Sequence, residues 1–193
     1  MRHFFYILIL IGCFSCSNNR CIEKKKAILN DSLAVLTGND IYNMKKDNIL
    51  NSISILDSLI KIDTVTGNRY RYFTNIGNLY MMLGDSSKAF KNKEIAANLL
   101  STNHIDRLMF FGEKNLRNGN KDSSLVYLNK ALKQCDDRLN KEMDYNMLAK
   151  KIQILILLNK KSEANDYLED IMKEYPHNEF IEGLKDEVNE LRQ

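Results

Sequence analysis

Two pairs of glycines set the frame in which this chain can fold. Gly77 and Gly84 stand seven residues apart, and Gly112 and Gly119 repeat that spacing 35 residues later (77 to 112, 84 to 119). The chain has eight glycines in 193 residues, so half of them share one register. A glycine inside a helix costs about 1 kcal/mol against alanine. Gly77 and Gly112 are therefore expected where a side chain would not fit. A period near 35 residues belongs to stacked helical repeats, whose usual work is binding other proteins. It names a class of work, not a partner.

The residues around the glycines narrow the family. Phe73, Ile76, Gly77 and Tyr80 are followed by Ala89 and Ala96; Leu108, Phe111, Gly112 and Asn115 are followed by Ser124, Leu128 and Ala131. Leu148, Leu155, Ala164 and Leu168 continue the series and close on Pro176, the only proline. This last unit is displaced, since Ser124 to Ala164 spans 40 residues. Ser52, Leu56 and Leu59, ending in Ile62-Asp63-Thr64, look like an earlier degenerate unit. The pattern resembles the tetratricopeptide repeat over roughly residues 45–178, most strongly from Tyr70 to Asp137. A Sel1-like helical-pair repeat of similar period is the alternative. Lys93, where the pattern has an aromatic, and Lys151, where it has leucine, depart from it.

Each column has a physical reason. Gly77 and Gly112 let the paired helix approach, with Ala89, Ser124 and Ala164 as the small residues facing that contact. Ala96 and Ala131 would seat a second helix against the next unit. Gly84 and Gly119 are expected to end the first helices in the left-handed conformation, which costs other residues energy. Asn159 takes that place in the third unit, and Asp85 and Asn120 follow as candidate helix caps.

The N-terminus carries a separate signal. Arg2 and His3 precede an apolar run from Phe4 to Phe14, about half the length of a membrane-spanning helix but suited to a secretory signal peptide. Leu10-Ile11-Gly12-Cys13 looks like a bacterial lipobox, and Phe14-Ser15-Cys16 is a looser version that leaves a polar Ser17-Asn18-Asn19 behind the cleavage site. Both are similar to the signals of bacterial lipoproteins of the Bacteroidetes type. The resemblance implies acylation of Cys13 or Cys16. Two or more acyl chains hold a protein stably at a membrane. The compartment would be the bacterial envelope, facing the periplasm because no acidic cluster of the kind that directs export to the outer face follows either cysteine, with surface exposure as the alternative. Asp31-Ser32-Leu33, Asp57-Ser58-Leu59 and Asp63-Thr64-Val65 resemble bacterial O-glycosylation acceptors, a three-residue pattern that chance supplies easily.

Composition removes other classes. Apolar residues make up 44% and charged residues 27%, an ordinary globular mix. Lysine and arginine (28) barely exceed aspartate and glutamate (25), which argues against a nucleic-acid surface. Lys24-Lys25-Lys26 would be a solvated helix end or lie against anionic headgroups beside the anchor. Three histidines without metal-ligand spacing, no phosphate loop and no HExxH motif leave no foothold for catalysis, a metal or a cofactor. Cys21 and Cys135 could bridge in an oxidising compartment, or Cys135 could be a buried apolar residue.

The expected organisation is a signal peptide (1–15), a tether (16–21) and one all-α domain (22–193), a right-handed α-solenoid of helix hairpins with clearest repeats at 70–103, 105–138 and 145–178. Helices are expected over 22–36, 41–62, 70–83, 86–100, 104–117, 122–135, 141–158 and 161–175, with Val65 to Asn68 as a turn. Asn178 to Arg192 carries Ile181, Leu184, Val188 and Leu191 on one stripe and reads as a capping helix. In tetratricopeptide stacks the first helices line a partner-binding groove. The resemblance places there Arg71, Thr74, Asn78 and Met81; Asp106, Met109, Glu113 and Leu116; and Asn146, Ala149, Gln153 and Ile156. It implies a non-catalytic, lipid-anchored scaffold for a protein or peptide partner in the envelope. A periplasmic sensing or regulatory module, or an inhibitor or immunity-type protein, is the alternative.

Overall fold

The computed structural model describes residues 19–37 and 46–190, with side chains over 22–33 and 46–190. The expected signal segment, Cys13, Cys16, the side chain of Cys21, the helix break at 38–40 and Leu191 lie outside the described residues. Among the described residues every regular element is a helix. The chain forms two compact units, one ending at Leu100 and the other beginning at Ser101.

The first unit holds α1 (Asn19–Thr37), α2 (Lys46–Ile62), α3 (Thr66–Met82) and α4 (Ser86–Asn98). Each helix packs on the next. Ile49, Ile53, Leu56 and Leu59 recur on one face of α2 and form a core with Ile76 and Leu79 of α3, against which Leu29 and Leu33 of α1 lie. Helix α1 begins at Asn19, so the last three residues of the expected tether are helical.

Val65 to Asn68 is not a free turn, because α3 starts at Thr66. The buried carboxylate of Asp63 accepts from the Val65 N–H at 3.0 Å and from Asn68 Nδ2 at 3.0 Å, which folds the chain tightly enough for the helix to start early. At its other end α3 stops at Gly84, whose φ is +75°. Asp85 then caps α4 by accepting from the Lys88 N–H at 3.0 Å.

The second unit holds α5 (Ile105–Arg117), α6 (Lys121–Leu139), α7 (Tyr145–Leu157), α8 (Lys161–Glu174) and α9 (Glu179–Glu190). Gly119 (φ +79°) and Asn159 (φ +58°) end α5 and α7 in the left-handed conformation. His177, beside Pro176, adopts it too at φ +62°. Asn120 precedes α6 without a side-chain cap. The residues inserted before the third hairpin lengthen α6 past its expected end at 135, so Cys135 sits one turn inside the helix. Helix α7 starts later than expected, at Tyr145, where Asp144 accepts from the N–H groups of Asn146 and Met147.

Both repeat glycines lie at close helix crossings. A Cβ on Gly77 would fall 2.8 Å from Lys93 Cγ and 3.1 Å from the Ala89 carbonyl oxygen. One on Gly112 would fall 2.5 Å from Leu128 Cδ2 and 2.6 Å from its Cγ. Ser124 sits in the second crossing, its buried hydroxyl donating to the Gly112 carbonyl at 2.8 Å. Ala89, Ala131 and Ala164 are fully buried. Helix α9 packs on α8 and α7, with Ile181 and Val188 buried against Leu148, Ile152, Leu155 and Leu168.

Candidate interaction surfaces

Helix α3 offers the simplest exposed stripe in the first unit. Arg71, Asn78 and Met81 follow one another at helical spacing and all are exposed, Met81 by 49%. Thr74 is half-buried and its hydroxyl donates to the Tyr70 carbonyl at 2.9 Å. Met82 extends the apolar end of the stripe.

In the second unit the same helical positions serve different ends. Met109 is buried with Ile105, Leu108, Leu128 and Met147. It follows Ile105 by one turn of α5, which places it on the core face, not at an exposed anchor position. The Asp106 carboxylate is engaged by Lys150 Nζ at 2.6 Å, tying the start of α5 to α7. Glu113 accepts from Arg117 Nε at 2.9 Å along α5. Leu116 is exposed at the end of α5. On α7, Asn146 and Gln153 are exposed, Ala149 is half-buried, and Ile156 lies against the core. Exposed side chains therefore remain at Arg71, Asn78 and Met81 in one unit and at Leu116, Asn146 and Gln153 in the other.

Three polar arrangements escape the repeat pattern. Asp63 is buried, yet its oxygens accept from Val65, Asn68 and, at 3.0 Å, the Tyr72 hydroxyl, while Lys26 Nζ lies 3.3 Å away. Burial pushes its carboxyl up, but the hydrogen bonds from Val65, Asn68, Tyr72 and Lys26 outweigh that and hold it below the usual carboxylate range. Burial, reinforced by the same carboxylate, raises the Tyr72 hydroxyl. The signal available in the sequence is an aspartate three residues ahead of a helix start, with Asn68 five residues on.

Lys151 is the second. Its ammonium pairs with Asp136 at 2.8 Å and lies 3.5 Å from the centroid of the Tyr167 ring. A lysine thus fills the place of a leucine because an aromatic face and a carboxylate receive its charge. The third is Asn165 of α8, buried with both amide atoms lacking a hydrogen-bond partner among the described residues.

Cys135 is a free thiol, fully buried, and pushed up to about 11 by burial and by the negative charge of Asp136. Such a thiol is a packing residue with little thiolate character at neutral pH. Among the described residues no cluster of three or more histidine, cysteine or acidic side chains could hold a metal, and no helix is long and apolar enough to cross a membrane. No family model matches the chain, and no characterised protein matches it in sequence.

Proposed function

We propose that this chain is a lipid-anchored tetratricopeptide scaffold of the bacterial cell envelope, built as a right-handed solenoid, which binds a peptide segment or partner protein and performs no catalysis. The observation that carries the reading is the pair of glycine crossings. Gly77 under Lys93 and Gly112 under Leu128 repeat one close helix contact at the 35-residue period, which is what the tetratricopeptide pattern demands of those columns. The anchor rests on the lipobox-like residues before Cys13 and Cys16.

Binding would use the exposed residues of the first helices: Arg71, Asn78 and Met81 on α3, Leu116 on α5, and Asn146 and Gln153 on α7. Methionine and leucine supply adaptable apolar contact, and the amides and Arg71 supply direction. A few such anchors carry most of an interface's affinity. A photo-crosslinking residue at Met81 in envelope-bound protein should capture a partner. The same residue at Lys91, exposed on α4, should not. Arg71→Ala with Asn78→Ala should cut the crosslinked yield from position 81 about tenfold at unchanged helicity. Equal capture from α3 and α4 positions would refute the use of the first helices.

A further inference from the structure

One end of the first unit has the chemistry of a bilayer-facing tip. Lys26 of α1 reaches Asp63 at the end of α2, so the N-terminal half of α1 lies beside the α2–α3 turn. Seven residues precede Lys26 in α1, and at 1.5 Å per residue they span about 10 Å. The start of α1 is therefore at or beyond the level of that turn. At this end Val65 stands 54% exposed at the turn, and Lys24 and Lys61 are exposed. Among the described residues neither lysine has an ion-pair partner. Of the carboxylates at the turn, Glu23 pairs with Lys26 at 2.9 Å and Asp63 is buried and hydrogen-bonded; Asp57 lies one turn back from the tip along α2. The tip is thus an exposed apolar side chain flanked by two exposed lysines that no salt bridge engages among the described residues.

Chain length supplies the occupant. Only Ser17 and Asn18 separate Cys16 from the first residue of α1. Two extended residues span about 7 Å, too little to lift the unit away from headgroups. From Cys13 the intervening five residues span about 17 Å at most. We propose that this end of the first unit rests on an anionic phospholipid surface, with Lys24 and Lys61 against the headgroups and Val65 in the interface. The proposal rests on the lipid anchor described above. Each lysine adds attraction within a Debye length of the surface, so the contact fixes how the anchored unit stands.

The chain has no tryptophan, which makes a single introduced indole a clean depth probe. Full-length acylated protein carrying Val65→Trp is reconstituted into phosphatidylethanolamine–phosphatidylglycerol vesicles with brominated acyl chains. The reference is Leu50→Trp, an exposed site near the start of α2 in the same unit; twelve residues of helix put it about 18 Å from the end at Ile62. Emission at 65 should be quenched at least twofold more than at 50, and Lys24→Glu with Lys61→Glu, or high salt, should reduce the difference. If the protein co-floats with vesicles but the two sites quench alike, the tip does not dock, and the anchor reading stands. If the protein does not co-float at all, the anchor itself is refuted and this proposal falls with it.

Discussion

Gly112→Ala is the sharpest test of why the repeat glycines are there. On helix propensity alone the substitution gains about 1 kcal/mol. Against that, the new Cβ would sit 2.5 Å from Leu128 Cδ2 and 2.6 Å from Cγ. Leu128 is 1% exposed and packed among Ala131, Cys135 and Met147, so its isobutyl group has nowhere to swing. Overpacking of this kind costs about 1–3 kcal/mol, which leaves a net loss of about 1 kcal/mol. Gly183→Ala is the matched control: it lies inside α9 with nothing within 4 Å of an added Cβ. It should gain up to about 1 kcal/mol. In thermal unfolding followed by circular dichroism the two variants should move in opposite directions, each by about 2–4 °C. Gly77→Ala should fall between them, because Lys93 can bend aside while the Ala89 carbonyl at 3.1 Å cannot. Gly112→Ala combined with Leu128→Ala should cost less than the sum of the single changes by about 1 kcal/mol or more. If Gly112→Ala raises the midpoint as Gly183→Ala does, or the pair is additive, the close crossing is not what holds glycine at 112.

The buried acid and the buried thiol make two further predictions. Asp63→Asn removes the charge that Lys26 and three hydrogen-bond donors surround and should destabilise the first unit, read from urea unfolding. Because the folded carboxyl titrates below its ordinary 3.8, its contribution is complete above that pH and is lost as pH falls below it toward the folded value. The wild-type acid transition should therefore flatten in Asp63→Asn, and parallel transitions would refute the role. Cys135 has the opposite sign: its thiol stays protonated in the fold up to about 11 against an ordinary 9.0. Its stabilisation is complete below pH 9 and is lost as pH rises through 11, and Cys135→Ala should remove that slope. Native protein should also leave Cys135 unmodified by a thiol reagent at pH 8 until denaturant is added; rapid modification in the fold would contradict its burial.

Much of this architecture is legible from residues whose constraint is local. Gly84, Gly119 and Asn159 announce left-handed helix ends, and all three take positive φ. Asp85 announces a cap and provides one. Apolar spacing on α2 and α9 points to the faces that are buried. What the sequence hides depends on partners distant along the chain. Asp63 reads as part of a modification motif until Lys26 and Tyr72, 37 positions before and nine after, are seen to meet it. Met109 reads as an exposed anchor by its repeat column, but α5 buries a wider face than that pattern assigns. Lys151 reads as a misfit until Asp136 and Tyr167 come within reach.

The third hairpin shows what happens where the glycine rule lapses. Its columns are displaced by 40 residues (Gly119 to Asn159, Ser124 to Ala164), so the place of Gly112 falls to Ile152 and that of Leu128 to Leu168. Two large side chains now stand in those columns, both in one buried cluster, and α7 and α8 touch over less of their length than α5 and α6 do. A wider crossing leaves apolar surface that the hairpin cannot close by itself. Helix α9 supplies the filling, since Ile181 and Val188 are fully buried in one cluster with Ile152 and Leu168, and α9 touches both helices. The terminal helix is therefore the structural counterpart of the missing glycine: the α3–α4 and α5–α6 hairpins close by removing a side chain, and the last closes by adding a helix.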